Sequence, residues 1–315
     1  MTALFGLCRI GLSEEPGRAV ALDRVAETHG TTPRGARMYS RFFGQEEVLL
    51  HPASHTRMLA GALADLLCAE PGLRDADGLV LYAKTQTHNT PADRGWLATL
   101  LADAGLTRWE AATVSMTNCA SALAALHLFG GESRPVIVLA GEKAFHAFGA
   151  RLSVGLLSEA PVAALFAAGG RPLCLTHVRH LPRFYRNPDD MAEADRHAFQ
   201  VSFEAGFISF LKDLARRHPA FMAQQPVIVP YNLNVPLVER VLQQAGLSAA
   251  LIAGHSGRSG HAFCSDSFLN LARLPVDDGR PVLLVSAGMG VTFAALGLGP
   301  GTIPPSPNQP METKA

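Results

Sequence analysis

The sequence predicts an α/β protein whose sheets are covered by helices, and three observations predict it. Eight short runs rich in Val, Ile and Leu are bounded by turn residues, helical patterns lie between them, and one succession of strand, turn and helix occurs twice. At 315 residues the chain is long enough to bury such a core as two fused halves or one large unit.

The predicted strands, in order, are ALFGLCRIGL (3–12), GLVLYAKT (78–85), ATVSMT (112–117), PVIVLAG (135–141), PLCLTHV (172–178), QPVIVPYN (225–232), RPVLLVSAG (280–288) and TFAALGLG (292–299). Each has the length and flanks of a strand buried on both faces. Helical spacing covers 55–69, 92–105, 119–129, 193–217 and 236–246, and a further helix begins near Asp266 in DSFLNLARL. The repeated unit is ATVSMTNCASALAALHLF (112–129) and QPVIVPYNLNVPLVERVLQQ (225–244), each followed by a glycine-bounded strand. A boundary between Gly169 and Pro172 divides the chain into halves at 1–170 and 171–302. The Pro-rich, polar segment 303–315 reads as a disordered tail.

Lys plus Arg and Asp plus Glu both number 27, so no overall field draws nucleic acid or an anionic membrane to the chain. Anionic ligands must meet a local basic patch instead. The five cysteines, Cys8, Cys68, Cys119, Cys174 and Cys264, are scattered without a CxxC pair. That argues against a disulfide framework and against a structural metal site, so no metal is expected. The first residues lack a basic region before their apolar run, and no apolar stretch reaches the roughly 18 residues of a membrane span. Neither export nor membrane insertion is indicated, and the cytoplasm is the expected compartment.

The stretch NCASALAAL carries Cys119 at a strand-to-helix turn. Unpaired N–H groups at a helix start favour negative charge, which suits a thiolate nucleophile; an Ala-rich buried helix with a core thiol fits the same residues. A base for such a nucleophile lies in GHSGRSGHAFCSDSFLNLARL, where His255 and His261 both follow glycine and Asp266 comes five residues after His261. Asp266 either orients His261 for catalysis or caps a helix.

Taken together, LVLYAKTQTHNTPADRGWL, NCASALAAL, VIVLAGEKA, VIVPYNLNVPLVERVLQQAGL, GHAFCSDSFLNLARL and VLLVSAGMGVTFAALGLG resemble, in order, the β-ketoacyl synthase III branch of the thiolase superfamily. The resemblance implies a five-layer αβαβα fold of two duplicated halves, usually a homodimer, and places the family's active cysteine on Cys119. The family's second position, a histidine in Pro-His-x-x-Asn, becomes Tyr231 in PYNLN while Asn234 is kept. The third, an asparagine after glycine, becomes His261. The usual His and Asn stabilise the carbanion formed by decarboxylation, which tyrosine does not do in the same way.

Cys119, His261 and Asp266 instead look like a subgroup of synthase III-like proteins of secondary metabolism that includes acyltransferases. That implies transfer of an acyl group from acyl carrier protein or coenzyme A, through a Cys119 thioester, to oxygen or nitrogen of a small-molecule acceptor. The acyl thioester is then a substrate and no cofactor is held permanently. Carbon–carbon bond formation and a non-catalytic partner subunit are the alternatives. The oxyanion donors implied are the N–H of Cys119 and one near Met289 and Gly290.

His261 is preferred over His255 for its register and its partner Asp266. Tyr231 donates to an acyl carbonyl or fills vacated space, and Asn234 binds substrate or caps a helix. Arg179, Arg183 and Arg186 with Phe184 and Tyr185 meet a phosphate or an acidic carrier, or form a solvated link between the halves. Arg151, Arg258, Lys143 and Lys212 are further candidate phosphate contacts.

Overall fold

A computed structural model describes residues 5–15, 17–25, 29–85, 95–115, 117–129, 133–144, 147–181, 191–247, 257–274, 279–288 and 291–305. The chain begins with β1 (Phe5–Leu12), then a ribbon of β2 (Arg18–Ala21) and β3 (Glu47–Leu50) that brackets the single turn α1 (Leu22–Val25) and α2 (Pro33–Phe43). It continues through α3 (His55–Ala69), β4 (Gly78–Ala83), α4 (Trp96–Asp103), β5 (Trp109–Val114), α5 (Ser121–Leu128) and β6 (Val136–Ala140). The two-residue strands β7 (Arg151–Leu152) and β8 (Gly155–Leu156) precede β9 (Val162–Ala168). After them come β10 (Arg171–His180), α6 (Glu193–Arg217), α7 (Pro219–Met222), β11 (Val227–Pro230), α8 (Val235–Gln244), α9 (Asp266–Ala272), β12 (Val282–Gly288) and β13 (Thr292–Leu298).

The main strands form one sheet in the order β11-β12-β13-β10-β1-β9-β6-β4-β5. Outward from β1 the neighbours β9, β6 and β4 pair antiparallel, antiparallel and parallel. Outward from β10 the neighbours β13, β12 and β11 pair in the same three senses. The two half-sheets therefore repeat one topology and join only where Gly6 and Leu7 of β1 meet Pro172 and Arg171 of β10.

Burial along the strands explains the layering. The six residues of β4 and the five of β6 are all buried, because each half-sheet carries helices on both faces. One core joins α3 and α4 to Val80, Tyr82, Ile137 and Leu139. A second joins α6 and α8 to Ile228, Leu283, Val285 and Phe293. Between them, α5 and α9 pack against the inner faces of both half-sheets through Leu123, Leu126, Phe268, Leu81, Val138, Leu284 and Leu296. The result is the five-layer αβαβα arrangement with two duplicated halves.

The sequence reading does not name β2, β3, β7, β8, β9, α1, α2 or α7. β9 lies inside the first half-sheet between β1 and β6, but VAALFAA is alanine-rich and has a single β-branched residue, Val162. α2 is written in PRGARMYSRFF, where only Ala36 and Tyr39 are buried. Its ends are nonetheless well set: Thr32 accepts from Gly35 N–H, Pro33 opens the first turn, and Gly44 closes it in the left-handed region. Of the predicted tail, Ile303 packs on the central core and the Pro305 carbonyl accepts from Arg9 Nη1 at 3.0 Å. Residues 306–315 lie outside the described residues.

Candidate active site

Cys119 occupies a short 3-10 turn, Asn118–Ala120, between β5 and α5 and is 6 % exposed. Asn118 holds the left-handed conformation (φ 49°), which asparagine tolerates better than most side chains. The second half of the chain clamps this turn. Ser286 Oγ of β12 donates to the Cys119 carbonyl at 2.9 Å, and Cys264 Sγ donates to the Asn118 carbonyl at 3.3 Å. At the end of β12 a Cβ on Gly288 would collide with the Thr117 carbonyl oxygen, so only glycine allows the two segments this close.

His261 is 1 % exposed and is fixed by main chain as well as side chain. It forms an isolated parallel bridge with Leu157, and its carbonyl accepts from Ser158 N–H at 2.8 Å. Gly260 before it has φ +76°, and a Cβ there would meet Gln45 and the Leu156 carbonyl. His261 Nδ1 is hydrogen-bonded to Asp266 Oδ2. Asp266 opens α9 and is 1 % exposed, yet its oxygens are well supplied. Ala262 N–H donates to Oδ1 at 2.7 Å, Asn232 N–H to Oδ2 at 2.7 Å, and Asn232 Nδ2 to Oδ1 at 3.3 Å. Asn270 completes the network by exchanging amide bonds with Asn232 at 2.8 and 3.1 Å and donating to the Pro230 carbonyl at 2.7 Å.

A carboxylate can only accept, so this arrangement puts the imidazole hydrogen on Nδ1 and leaves Nε2 as the ring's second polar atom near Cys119. Burial is the largest influence on the ring and opposes its charge, but Asp266 and the Cys119 sulfur outweigh it and hold the His261 pKa well above the ordinary value. Nε2 itself is buried and among the described residues has no hydrogen-bond partner of ordinary geometry.

Tyr231, at the end of β11, is 3 % exposed and lies edge-on to the His261 ring at 6.0 Å, with Phe207 at 6.5 Å on another side. Burial first, then Cys119 and Asp266, push its phenol pKa well up, so it stays protonated. Asn234 (φ 54°) caps α8, its Oδ1 accepting from Leu237 N–H at 3.4 Å. Arg179 donates to Ser209 Oγ, Lys143 is tied to Glu159 and to the His51 and Ala53 carbonyls, and Arg258 pairs with Glu46. Each of those three charges thus has a partner within the chain. Met289, Gly290, His255, Arg183, Phe184, Tyr185 and Arg186 lie outside the described residues.

Four residues absent from the sequence reading belong to this region. Asn232 and Asn270 hold Asp266, and the signal was the first asparagine of PYNLN and the asparagine of DSFLNL. Thr85, just past the end of β4, has Oγ1 at 3.2 Å from Cys264 Sγ and 3.9 Å from Cys119 Sγ. Its N–H donates to Oε1 of the buried Glu142 at 2.5 Å. Burial, Glu142 and Cys119 raise the Cys264 pKa well above the usual thiol value, which suits a neutral S–H donor beside the turn rather than a second nucleophile. Among the described residues no three His, Cys, Asp or Glu side chains gather as metal ligands, and no helix is long and apolar enough to cross a membrane.

No family model matches the chain, and no curated protein matches it in sequence. Solved structures do. The acyltransferase ChlB3 has a TM-score of 0.78 at 15% identity, covering 96% of this chain and 99% of that one. The 3-oxoacyl-(acyl carrier protein) synthase III FabH of Pseudomonas aeruginosa PAO1 has 0.71 at 17%, covering 96% and 100%. The tetronic acid condensing enzyme AbyA1 has 0.71 at 16%, covering 94% and 99%. At such identities the likeness is one of fold, and the chain has the thiolase-type fold of synthase III-like proteins.

Two outcomes follow from this geometry. Because the folded pKa of His261 is raised, the stabilisation it brings is fully present below about pH 6.5, the unfolded value, and is lost as pH rises through the folded value. Urea unfolding from about pH 6 to about pH 10 is expected to show the stability gap between wild type and His261→Gln narrowing toward high pH; a gap that widens would contradict the His261–Asp266 pairing. Gly260→Ala, which places a Cβ against Gln45 at positive φ, is expected to cost about 1–3 kcal/mol in the same measurement.

Proposed function

We propose that the chain is an acyltransferase that carries its acyl group on Cys119. The observation behind this reading is the buried hydrogen bond between Asp266 and His261 Nδ1, on an imidazole whose pKa Cys119 helps to raise, with Tyr231 edge-on to the ring in place of a second imidazole. In the first half-reaction His261 Nε2 takes the thiol proton and the sulfur attacks the thioester carbonyl carbon. The tetrahedral intermediate collapses, the donor's carbon–sulfur bond breaks, and the departing thiol receives the proton from Nε2. In the second half, Nε2 takes the proton of an alcohol or amine as its heteroatom attacks the acyl-cysteine, and Cys119 leaves. Asp266 stays ionised throughout and stabilises the imidazolium.

The donor fitting this scheme is a thioester of coenzyme A or of carrier-protein phosphopantetheine, and the acceptor is a small molecule bearing O–H or N–H. Oxyanion donors are the N–H of Cys119 and one from the turn at Met289 and Gly290. The working form is a homodimer. This cycle stabilises no carbanion, which is why a tyrosine at 231 is compatible with it.

Intact-protein mass spectrometry after incubation with short, branched, aromatic and long acyl thioesters is expected to show a single acyl adduct on the wild type and none on Cys119→Ala. Asp266→Asn is expected to slow its formation about 10²- to 10⁴-fold through the loss of the Nδ1–H tautomer. An unmodified wild type across the whole set, or an adduct that persists in Cys119→Ala, refutes the reading.

A further inference from the structure

Tyr231 poses a question that packing does not answer. Its ring fills space between Phe207 and His261, which phenylalanine would do equally well. The residue is 3 % exposed, yet among the described residues its hydroxyl has no hydrogen-bond partner. A phenol oxygen that makes no hydrogen bond within the described chain is open to one with whatever enters the site, so its use lies with a bound molecule. Its position limits that use. The neighbouring residue Asn232 grips Asp266 through both its N–H and its amide, so the Tyr231 ring is held in register with the His261–Asp266 pair. The group that Nε2 protonates or deprotonates must come within hydrogen-bond reach of that nitrogen, and the Tyr231 ring stands edge-on to the same imidazole.

Resting on the acyltransferase reading, we propose that Tyr231 is a catalytic residue whose hydroxyl donates a hydrogen bond to the departing sulfur of the acyl donor. As the tetrahedral intermediate collapses, negative charge builds on the sulfur of coenzyme A or phosphopantetheine before the proton arrives from His261 Nε2–H. The Tyr231 O–H stabilises that charge and keeps its own proton, so one bond to carbon breaks, one proton moves from Nε2 to sulfur, and the phenol is unchanged. A phenol whose pKa is pushed up by burial and by its anionic neighbours suits a donor that must not ionise.

The test is leaving-group dependence. Tyr231→Phe keeps the ring and removes only the oxygen, so it is expected to fold with unfolding stability close to wild type. Acylation of Cys119 is followed by quenched-flow mass spectrometry with two donors of the same acyl group, an alkyl thioester and an aryl thioester whose thiolate is far more stable. The variant is expected to lose about 10- to 100-fold in rate with the alkyl thioester and less than about 3-fold with the aryl one, whose sulfur needs little help. Equal loss with both donors, or no loss with either, overturns the proposal while leaving the acyltransferase reading intact. A wild type that is acylated by neither donor removes both.

Discussion

A carboxylate at 1 % exposure is several kcal/mol out of place unless nearly every lone pair is occupied, and Asp266 meets that demand with a charge-assisted bond to His261 and three N–H donors. Those donors come from different places: the residue after His261, and the main chain and side chain of Asn232 beyond β11. Ionised Asp266 therefore fastens the His261 loop, the first turn of α9 and the end of β11 to one another. Through Asn232 it also sets the place of Tyr231, and through Asn270 the network returns to the carbonyl of Pro230. The imidazole tautomer, the direction of Nε2 and the site of the phenol all follow from satisfying one buried charge.

The Cys119 turn depends on that lock across the seam between the halves. Cys119 belongs to the first half-sheet's side of the central layer, whereas His261 and Asp266 enter from the second. What keeps them in register is a set of short contacts onto the turn at Asn118–Ala120: the Ser286 hydroxyl, the Cys264 thiol and the glycine at 288. Thr85 and Glu142, beyond the ends of the parallel strands β4 and β6, continue the same polar region into the first half. A duplicated sheet that meets only at β1 and β10 leaves the central layer as the place where both halves contribute side chains to one site.

Much of this was legible in the order of residues. Val-, Ile- and Leu-rich runs named eight of the strands because strands covered on both faces need apolar residues at every position. The alanines of β9 hid an interior strand for the same reason, since in VAALFAA only Val162 and Phe166 favour extended backbone against four alanines and a leucine. At the site, the glycine before His261 and the acid five residues after it were visible, as was the cysteine at a strand-to-helix turn. Asn232 and Asn270 were not, because a side chain that acts by supporting a carboxylate carries no spacing signature of its own; attention went to Asn234, whose side chain caps α8. Thr85 and Cys264 were hidden because their meeting beside Cys119 is a product of tertiary folding across 179 positions of chain.

The fate of the acyl group on Cys119 tests the account most directly. Acyl-enzyme, formed and separated from excess donor, is mixed with a malonyl thioester carrying a labelled carboxylate together with a panel of simple alcohols and amines. The account predicts discharge to an oxygen or nitrogen ester or amide with no labelled carbon dioxide released. Release of labelled carbon dioxide matched by a β-ketoacyl product would contradict it, and would mean that His261 with Tyr231 can stabilise a carbanion after all.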